Sequence, residues 1–214
     1  MVDKRNEIGD RLFVKGLVTQ AQLDHALFLQ QESYRPIGDI LLDLGYVSRS
    51  ELNLQARALM QESLLNVLQP MFDLELVISD FYYLCGERYP TEADFWTQMG
   101  NDEVRHCLFI GQIIEALYKS PHLFDPYQPF SPQVVTRMIT AVQKAHHRIK
   151  NEQLSLADAL GYAYDFEIGM LENRLFDLLT TRDEEAQKLI DIIRSETQFH
   201  RQQIIDAAGQ TPKL

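Results

Sequence analysis

Four acidic residues fall on helical faces that are otherwise apolar. Side chains three or four positions apart share one face of a helix. Reading at that spacing from Met71 gives Met71, Leu74, Glu75, Ile78, Phe81, Tyr82 and Cys85. From Trp96 the stripe is Met99, Glu103, His106, Ile110, Ile113 and Leu117; from Leu160 it is Ala163, Tyr164, Glu167, Met170, Leu171 and Leu178. From Leu189 it is Ile193, Glu196, His200 and Ile204. Each stripe is interrupted near its middle by a carboxylate, and two of them also by an imidazole. One such Glu has a bland explanation, such as an arginine partner, but four need a common cause. An ionised carboxylate costs several kcal/mol to bury uncompensated, and four around one axis also repel one another. Divalent cations offset both effects. Carboxylates with one or two imidazoles suit iron or manganese, whereas an all-oxygen cage fits magnesium or calcium and a thiolate cage fits zinc.

The elements that carry these residues are helical. Pro70 is expected to interrupt a helical pattern that begins near Ser50, and Pro90, Pro121, Pro126, Pro129 and Pro132 punctuate the chain beyond it. Helices are expected at about 71–88, 92–119, 132–150, 156–180 and 183–207, with one long loop from Ser120 to Phe130. Ser131 reads as an N-cap ahead of Pro132, and Ser155 as the N-cap of the next helix. No segment shows sustained strand alternation, so the fold class is all-α.

The segments Phe72-Asp73-Leu74-Glu75 and Tyr164-Asp165-Phe166-Glu167 are alike and 92 residues apart. Glu75 precedes Glu103 by 28 residues and Glu167 precedes Glu196 by 29, a pseudo-repeat of helix pairs. Glu103-Val104-Arg105-His106 is a Glu-x-x-His motif. On these residues the chain from about 70 to 207 resembles the ferritin-like superfamily, and the rubrerythrin branch most closely. The resemblance implies an antiparallel four-helix bundle with an extra connecting helix, and a dinuclear iron or manganese centre that reacts with oxygen or peroxide. By position its ligands are Glu75, Glu103, His106, Glu167, Glu196 and His200, with Glu103 and Glu196 as the bridging pair. In the last helix His200 lies four residues after Glu196, and Thr197 lies three before it. Two readings stay open there: a π-bulge that restores the register, or a degenerate half-site with one metal or none. Tyr82, Tyr164, Phe81, Phe166 and Cys107 are candidate lining residues, most of them expected as core, with Cys107 structural. Trp96 is expected to pack at a bundle end, and His25, His122 and the His146-His147 pair to lie on polar surface.

The first 60 residues contain a repeat. Shifted by 29 positions, Ile8-Gly9-Asp10 falls on Ile37-Gly38-Asp39, Leu12 on Leu41, Gly16 on Gly45, Val18 on Val47 and Leu23 on Leu52. Capping boxes follow each second glycine, Thr19-x-x-Gln22 and Ser48-x-x-Glu51. Each unit thus reads as a short helix, a glycine stop and a capped longer helix. Leu12, Phe13, Leu41 and Leu42 are expected to bury against Leu23, Leu27, Leu52 and Leu59. Residues 7–60 resemble the N-terminal domain of type II secretion and pilus-assembly ATPases, some of which bind cyclic di-GMP. Residues 7–30 and 36–59 match its two copies, which would place Gly9, Gly16, Gln30, Arg35, Gly38 and Gly45 at a nucleotide. Glu7 and Pro36 stand where the family has arginine and Leu59 where it has glutamine, which leaves Arg35 or Arg11 as substitutes.

The chain has 214 residues, 45% hydrophobic and 24% charged, enough for a small module at 1–65 and a bundle at 66–214. Its net charge of −11 disfavours nucleic acid and anionic lipid as partners. Seven basic and nine acidic residues precede Pro70, and thirteen and twenty-two follow it, so the acid sits with the bundle. No apolar run suits a membrane span or secretory signal, so a cytoplasmic chain is expected. Cys85 and Cys107 form no Cys-x-x-Cys and read as free thiols. Peroxidase turnover would therefore need an external electron donor. The alternative to an oxidoreductase is a metal or redox sensor, or an adaptor whose first module binds a protein partner or cyclic di-GMP. The family resemblances further imply a homodimer.

Overall fold

In a computed structural model of the chain, residues 7–125, 133–152, 154–172 and 179–210 are described. They form eight α-helices: α1 Glu7–Val14, α2 Gln20–Ser33, α3 Ile37–Asp43, α4 Arg49–Arg88, α5 Ala93–Lys119, α6 Gln133–Asn151, α7 Leu156–Glu172 and α8 Glu184–Gln210. Single 3-10 turns occupy Pro90–Glu92 and Pro121–Leu123. No strand occurs among the described residues, only an isolated antiparallel bridge between Phe124 and Thr181. No described helix is long and apolar enough to cross a membrane. The chain divides into two compact units, Met1–Glu62 and Ser63–Leu214.

The repeat organises the first unit. At the ends of α1 and α3 the same two bonds close the helix: Leu17 N–H to Leu12 C=O with Gly16 to Phe13, and Tyr46 to Leu41 with Gly45 to Leu42. This closure needs a left-handed residue, and Gly16 and Gly45 both have φ +69°. Both expected capping boxes form, with Thr19 and Gln22 exchanging bonds at α2 and Ser48 and Glu51 at α4. Leu12, Val18, Leu23, Ala26, Ile37, Ile40, Leu41 and Val47 make the core. Phe13 does not join it: this residue is 41% exposed, and Leu42 is only half-buried. One turn of helix, about 100° per residue, cannot point two consecutive side chains at the same core.

The helix is not interrupted at Pro70, contrary to expectation; α4 runs through it. Proline's ring suits helical φ, and the residue four before it, whose carbonyl loses its usual N–H donor, is the exposed Asn66.

In the second unit α4 and α5 run antiparallel, with Cys107 Sγ donating to the Phe72 carbonyl toward one end and Tyr82 against Trp96 toward the other. A methyl group on Gly100 would lie 2.8 Å from the Tyr83 ring, so Gly100 makes room for that side chain between the two helices. Phe81 sets its ring edge against Tyr162 and Phe166 of α7, and Tyr89 donates to the carbonyls of Leu154 and Ser155. α8 packs along both α5 and α7, and α6 packs on α7. Ser155 caps α7 in exchange with Asp158, and Asp183 caps α8 through the Ala186 N–H. After α5 the chain pairs with the segment before α8, Asp125 N–H to Thr180 C=O and Arg182 N–H to Leu123 C=O. The expected cap at Ser131 and Pro132, loop residues 126–130 and Leu178 lie outside the described residues.

At Gly16 and Gly45 nothing lies within 4 Å of an added methyl group. Gly16→Ala and Gly45→Ala are therefore expected to destabilise the first unit by left-handed backbone strain alone, about 1–2 kcal/mol each. Urea denaturation checks this; an unchanged midpoint for both would contradict it.

Candidate metal centre

The four polar interruptions converge in the second unit. Glu75 is flanked on α4 by buried Leu74, Ile78, Phe81 and Tyr82. Glu103 and His106 stand on α5 between Met99 and Ile110. Glu167 lies between Ala163 and Met170, and His200 between Ile193 and Ile204, all of them buried. Five ionisable side chains, Glu75, Glu103, His106, Glu167 and His200, are no more than 1% exposed.

They form two groups that share Glu103: Glu75, Glu103 and His106 in one, Glu103, Glu167 and His200 in the other, with donor atoms within 4.8 Å of one another in each. Glu103 divides its carboxylate between the histidines. Its Oε2 lies 2.7 Å from His106 Nδ1 and its Oε1 lies 2.9 Å from His200 Nδ1. Glu75 Oε2 is 3.9 Å from His106 Nδ1, and Glu167 Oε1 is 3.8 Å from His200 Nδ1. The two imidazoles lie 5.7 Å apart between ring centroids. Tyr82, fully buried, donates its hydroxyl to Glu167 Oε1 at 2.6 Å.

Several of these atoms have no hydrogen bond. Glu75 Oε2, Glu103 Oε1, Glu167 Oε2 and His200 Nδ1 are buried without a hydrogen bond, although Glu103 Oε1 and His200 Nδ1 face each other at 2.9 Å as an ion pair. Buried polar atoms are normally satisfied, so an orphaned set pointing together calls for a partner. These groups could hold a metal ion.

The outward nitrogens have their own acceptors. His106 Nε2 lies 2.9 Å from Glu196 Oε2, and His200 Nε2 lies 3.3 Å from Asp102 Oδ2. Arg105 bridges these two acids, 2.9 Å to Glu196 and 2.7 Å to Asp102. With a carboxylate on Nε2 to keep a proton there, each imidazole would present an Nδ1 lone pair inward once a cation displaced the proton that Nδ1 now directs at Glu103.

Glu196 is thus not where the sequence reading puts it. Its side chain is 31% exposed, it contacts the outer edge of His106, and it belongs to neither donor group. No π-bulge intervenes, since α8 is regular α-helix through this region. In an unbroken helix Glu196 and Thr197 differ by about 100°, and it is Thr197, fully buried, that faces inward. Thr197 donates its hydroxyl to the Ile193 carbonyl. Asp102 and Arg105 were not foreseen; the signal was the shared offset, with an acid four residues before each histidine at Asp102 and Glu196.

Burial and charge set the protonation of the cluster. Burial, then the charge of Glu103, pushes Glu75 and Glu167 above the usual carboxylate range. Burial works the same way on Glu103, but His106 and His200 beside it outweigh burial and hold its carboxyl well below that range. Burial opposes protonation of both imidazoles, yet Glu103 and Glu75 push His106 up to about 11, and Glu103 and Glu167 push His200 up to about 9. Without a cation, protons balance the carboxylates.

The other expected residues belong to neither donor group. Cys85 and Cys107 are buried free thiols, and burial pushes Cys107 up to about 12. Tyr164 is half-buried, and His122 and His147 are exposed. His25 contacts the Tyr46 hydroxyl at 2.9 Å. Trp96 is buried between Tyr82 and Phe95.

In the first unit Gly9 and Gly38 are buried, where added methyl groups would meet Leu23 at 2.9 Å and Leu52 at 3.0 Å. Gln30 donates to the Arg35 carbonyl, Arg35 pairs with Asp43 at 2.5 Å, and Arg11 pairs with Glu62 at 2.6 Å and donates to Gln55. The motif glycines serve turns and close packing, and both candidate arginines already face acids.

Set against protein-family models, curated proteins and solved structures, the chain matches none of them.

Tyr82→Phe removes the one hydroxyl that satisfies Glu167 Oε1. The variant is expected to lose about 1–3 kcal/mol of stability in the metal-free protein, with helix content unchanged by circular dichroism. A thermal midpoint equal to wild type would show that the bond is not formed.

Proposed function

We propose that the second unit is a ferritin-like four-helix bundle of α4, α5, α7 and α8, with α6 as its extra helix, and that it holds two iron or manganese ions in an oxygen- or peroxide-reactive oxidoreductase of rubrerythrin type. One observation carries this reading: three carboxylates and two imidazoles share a buried space with four of their donor atoms unsatisfied. Glu75 and His106 would hold one ion, Glu167 and His200 the other, and Glu103 both. A redox-active metal pair supplies electron exchange with oxygen or hydrogen peroxide.

The remaining chemistry belongs to the chain. Glu196 and Asp102 orient the two imidazoles through Nε2, and Arg105 fixes the acids. Tyr82 orients Glu167. Leu74, Ile78, Phe81, Phe166, Ile110 and Ile193 keep water away from the cluster. With no Cys-x-x-Cys in the chain, reducing electrons would come from a separate donor.

Metal analysis after anaerobic reconstitution tests the reading. Wild type is expected to bind about two ions per chain, the number such carboxylate–histidine bundles hold. Glu103→Ala removes the shared ligand and is expected to lose both, while Glu75→Ala keeps the Glu103, Glu167 and His200 group and one ion. Equal iron in wild type and Glu103→Ala would sink the ligand assignment.

Metal uptake should also depend on pH. His106 and His200, and Glu75 and Glu167 through burial, hold protons in the metal-free cluster. Donation to a cation requires those protons to leave, so binding releases protons and competes with them. Apparent affinity should rise with pH through about 9, where His200 titrates, and on toward about 11, where His106 does, and weaken as pH falls. Calorimetry in buffers of different ionisation enthalpy measures the released protons; a pH-independent affinity with no proton release would contradict the protonation scheme.

A further inference from the structure

Helix α6 meets α4 and α7 around an apolar cavity of about 220 Å³. Met138, Ala141 and Val142 line it from one face of α6, Tyr162, Phe166 and Gly169 from one face of α7, and Leu74 from α4. Leu74, Val142 and Phe166 are buried and make its floor, whereas Ala141 is exposed at its rim. Protein interiors hold few voids larger than a water molecule. This one exists because facing residues of the two helices are small: a methyl group added to Gly169 would lie 3.3 Å from Met138 Cε, so the flexible end of the methionine reaches across to α7 there, and Ala141 brings a single methyl group. Polar atoms are scarce in the wall. The Tyr162 hydroxyl accepts from Arg148, and its ring stacks on Phe166 at 17°, with centroids 6.4 Å apart. Among the described residues that line the cavity Asp165 is the one charged side chain, and it is exposed.

We propose that this cavity binds a small uncharged hydrophobic molecule, about the size of one substituted aromatic ring, whether or not the cluster holds metal. Size, polarity and charge select the same ligand. An apolar cavity of about 150 Å³ takes up benzene, and the larger volume here leaves room for a substituent. A well-held water needs about two to four polar partners; this wall offers few, so an apolar solute displaces loosely held water at a gain. An anion finds no basic side chain on the described lining and meets Asp165 at the rim. Leu74 and Phe166 each directly precede a member of a donor group, Glu75 and Glu167. The bound molecule therefore touches the chain neighbours of two candidate metal ligands, on the α6 side of the unit.

The test uses the full chain with isotope-labelled methionine methyl groups, read by NMR during titration with toluene, the Met138 signal being assigned from Met138→Leu. A saturable shift of Met138 is expected, with buried Met99 of α5, which is not among the lining residues, unmoved. Ala141→Phe fills the cavity from an exposed position and should weaken toluene binding by about tenfold or more, with helix content unchanged by circular dichroism. Gly169→Leu fills it from α7 and should weaken binding likewise. Sodium benzoate, the same ring with a carboxylate, should leave Met138 in place at concentrations where toluene saturates. A Met138 signal that ignores toluene, or equal movement at Met99, overturns the site. Toluene binding of wild-type strength in either filled variant overturns its placement, and benzoate binding as tight as toluene overturns the choice of an uncharged ligand. Each of these results leaves the metal reading untouched.

Discussion

Glu103 sits between two histidines in a core closed to bulk solvent, and the arrangement of the cluster follows from how its charge is answered. One carboxylate oxygen faces each Nδ1, so the residue is the common member of both donor groups. Its neighbours Glu75 and Glu167 are buried as deeply and feel its negative charge, which drives them toward the protonated form. Five ionisable groups kept from solvent in this way would oppose folding unless protons or cations neutralise them. The geometry leaves donor atoms free on the inside and uses up those on the outside, the pattern that cation binding requires.

The outer layer is what makes the inner one directional. Glu196, Asp102 and Arg105 form a partly exposed network whose polar atoms are satisfied among themselves and by the Nε2 atoms of the imidazoles. Because Arg105 spans both acids, the two rings are oriented together. An exposed ion pair contributes little to stability; the effect of this one is geometric, since it decides which nitrogen of each buried ring faces the cluster.

The first unit shows a different use of a repeated motif. Two of its glycines are required by left-handed turns at helix ends, and the other two lie against the ends of leucine side chains. The arginines nearby are engaged with Asp43 and Glu62. A glycine motif of this kind specifies backbone geometry first, whatever else it comes to bind.

The sequence by itself determined the local facts. Capping boxes at Thr19 and Ser48, the N-cap at Ser155, the glycine stops, and the faces that carry Glu75, Glu103, His106, Glu167 and His200 follow from interactions within a turn or two of helix, which sequence spacing states directly. It failed where the outcome depends on neighbours. Helix α4 runs through Pro70, and the N–H it lacks falls opposite an exposed residue, Asn66. Glu196 and Thr197 are both compatible with an inward-facing position at the precision of a helical wheel, and the face-by-face reading gives Asp102 and Arg105 no role. Only the tertiary structure decided that Thr197 turns inward while Glu196 reaches the back of His106. The rotation of each helix about its own axis is set by the sum of its contacts with other helices, and a shift of one residue moves a side chain by about 100°.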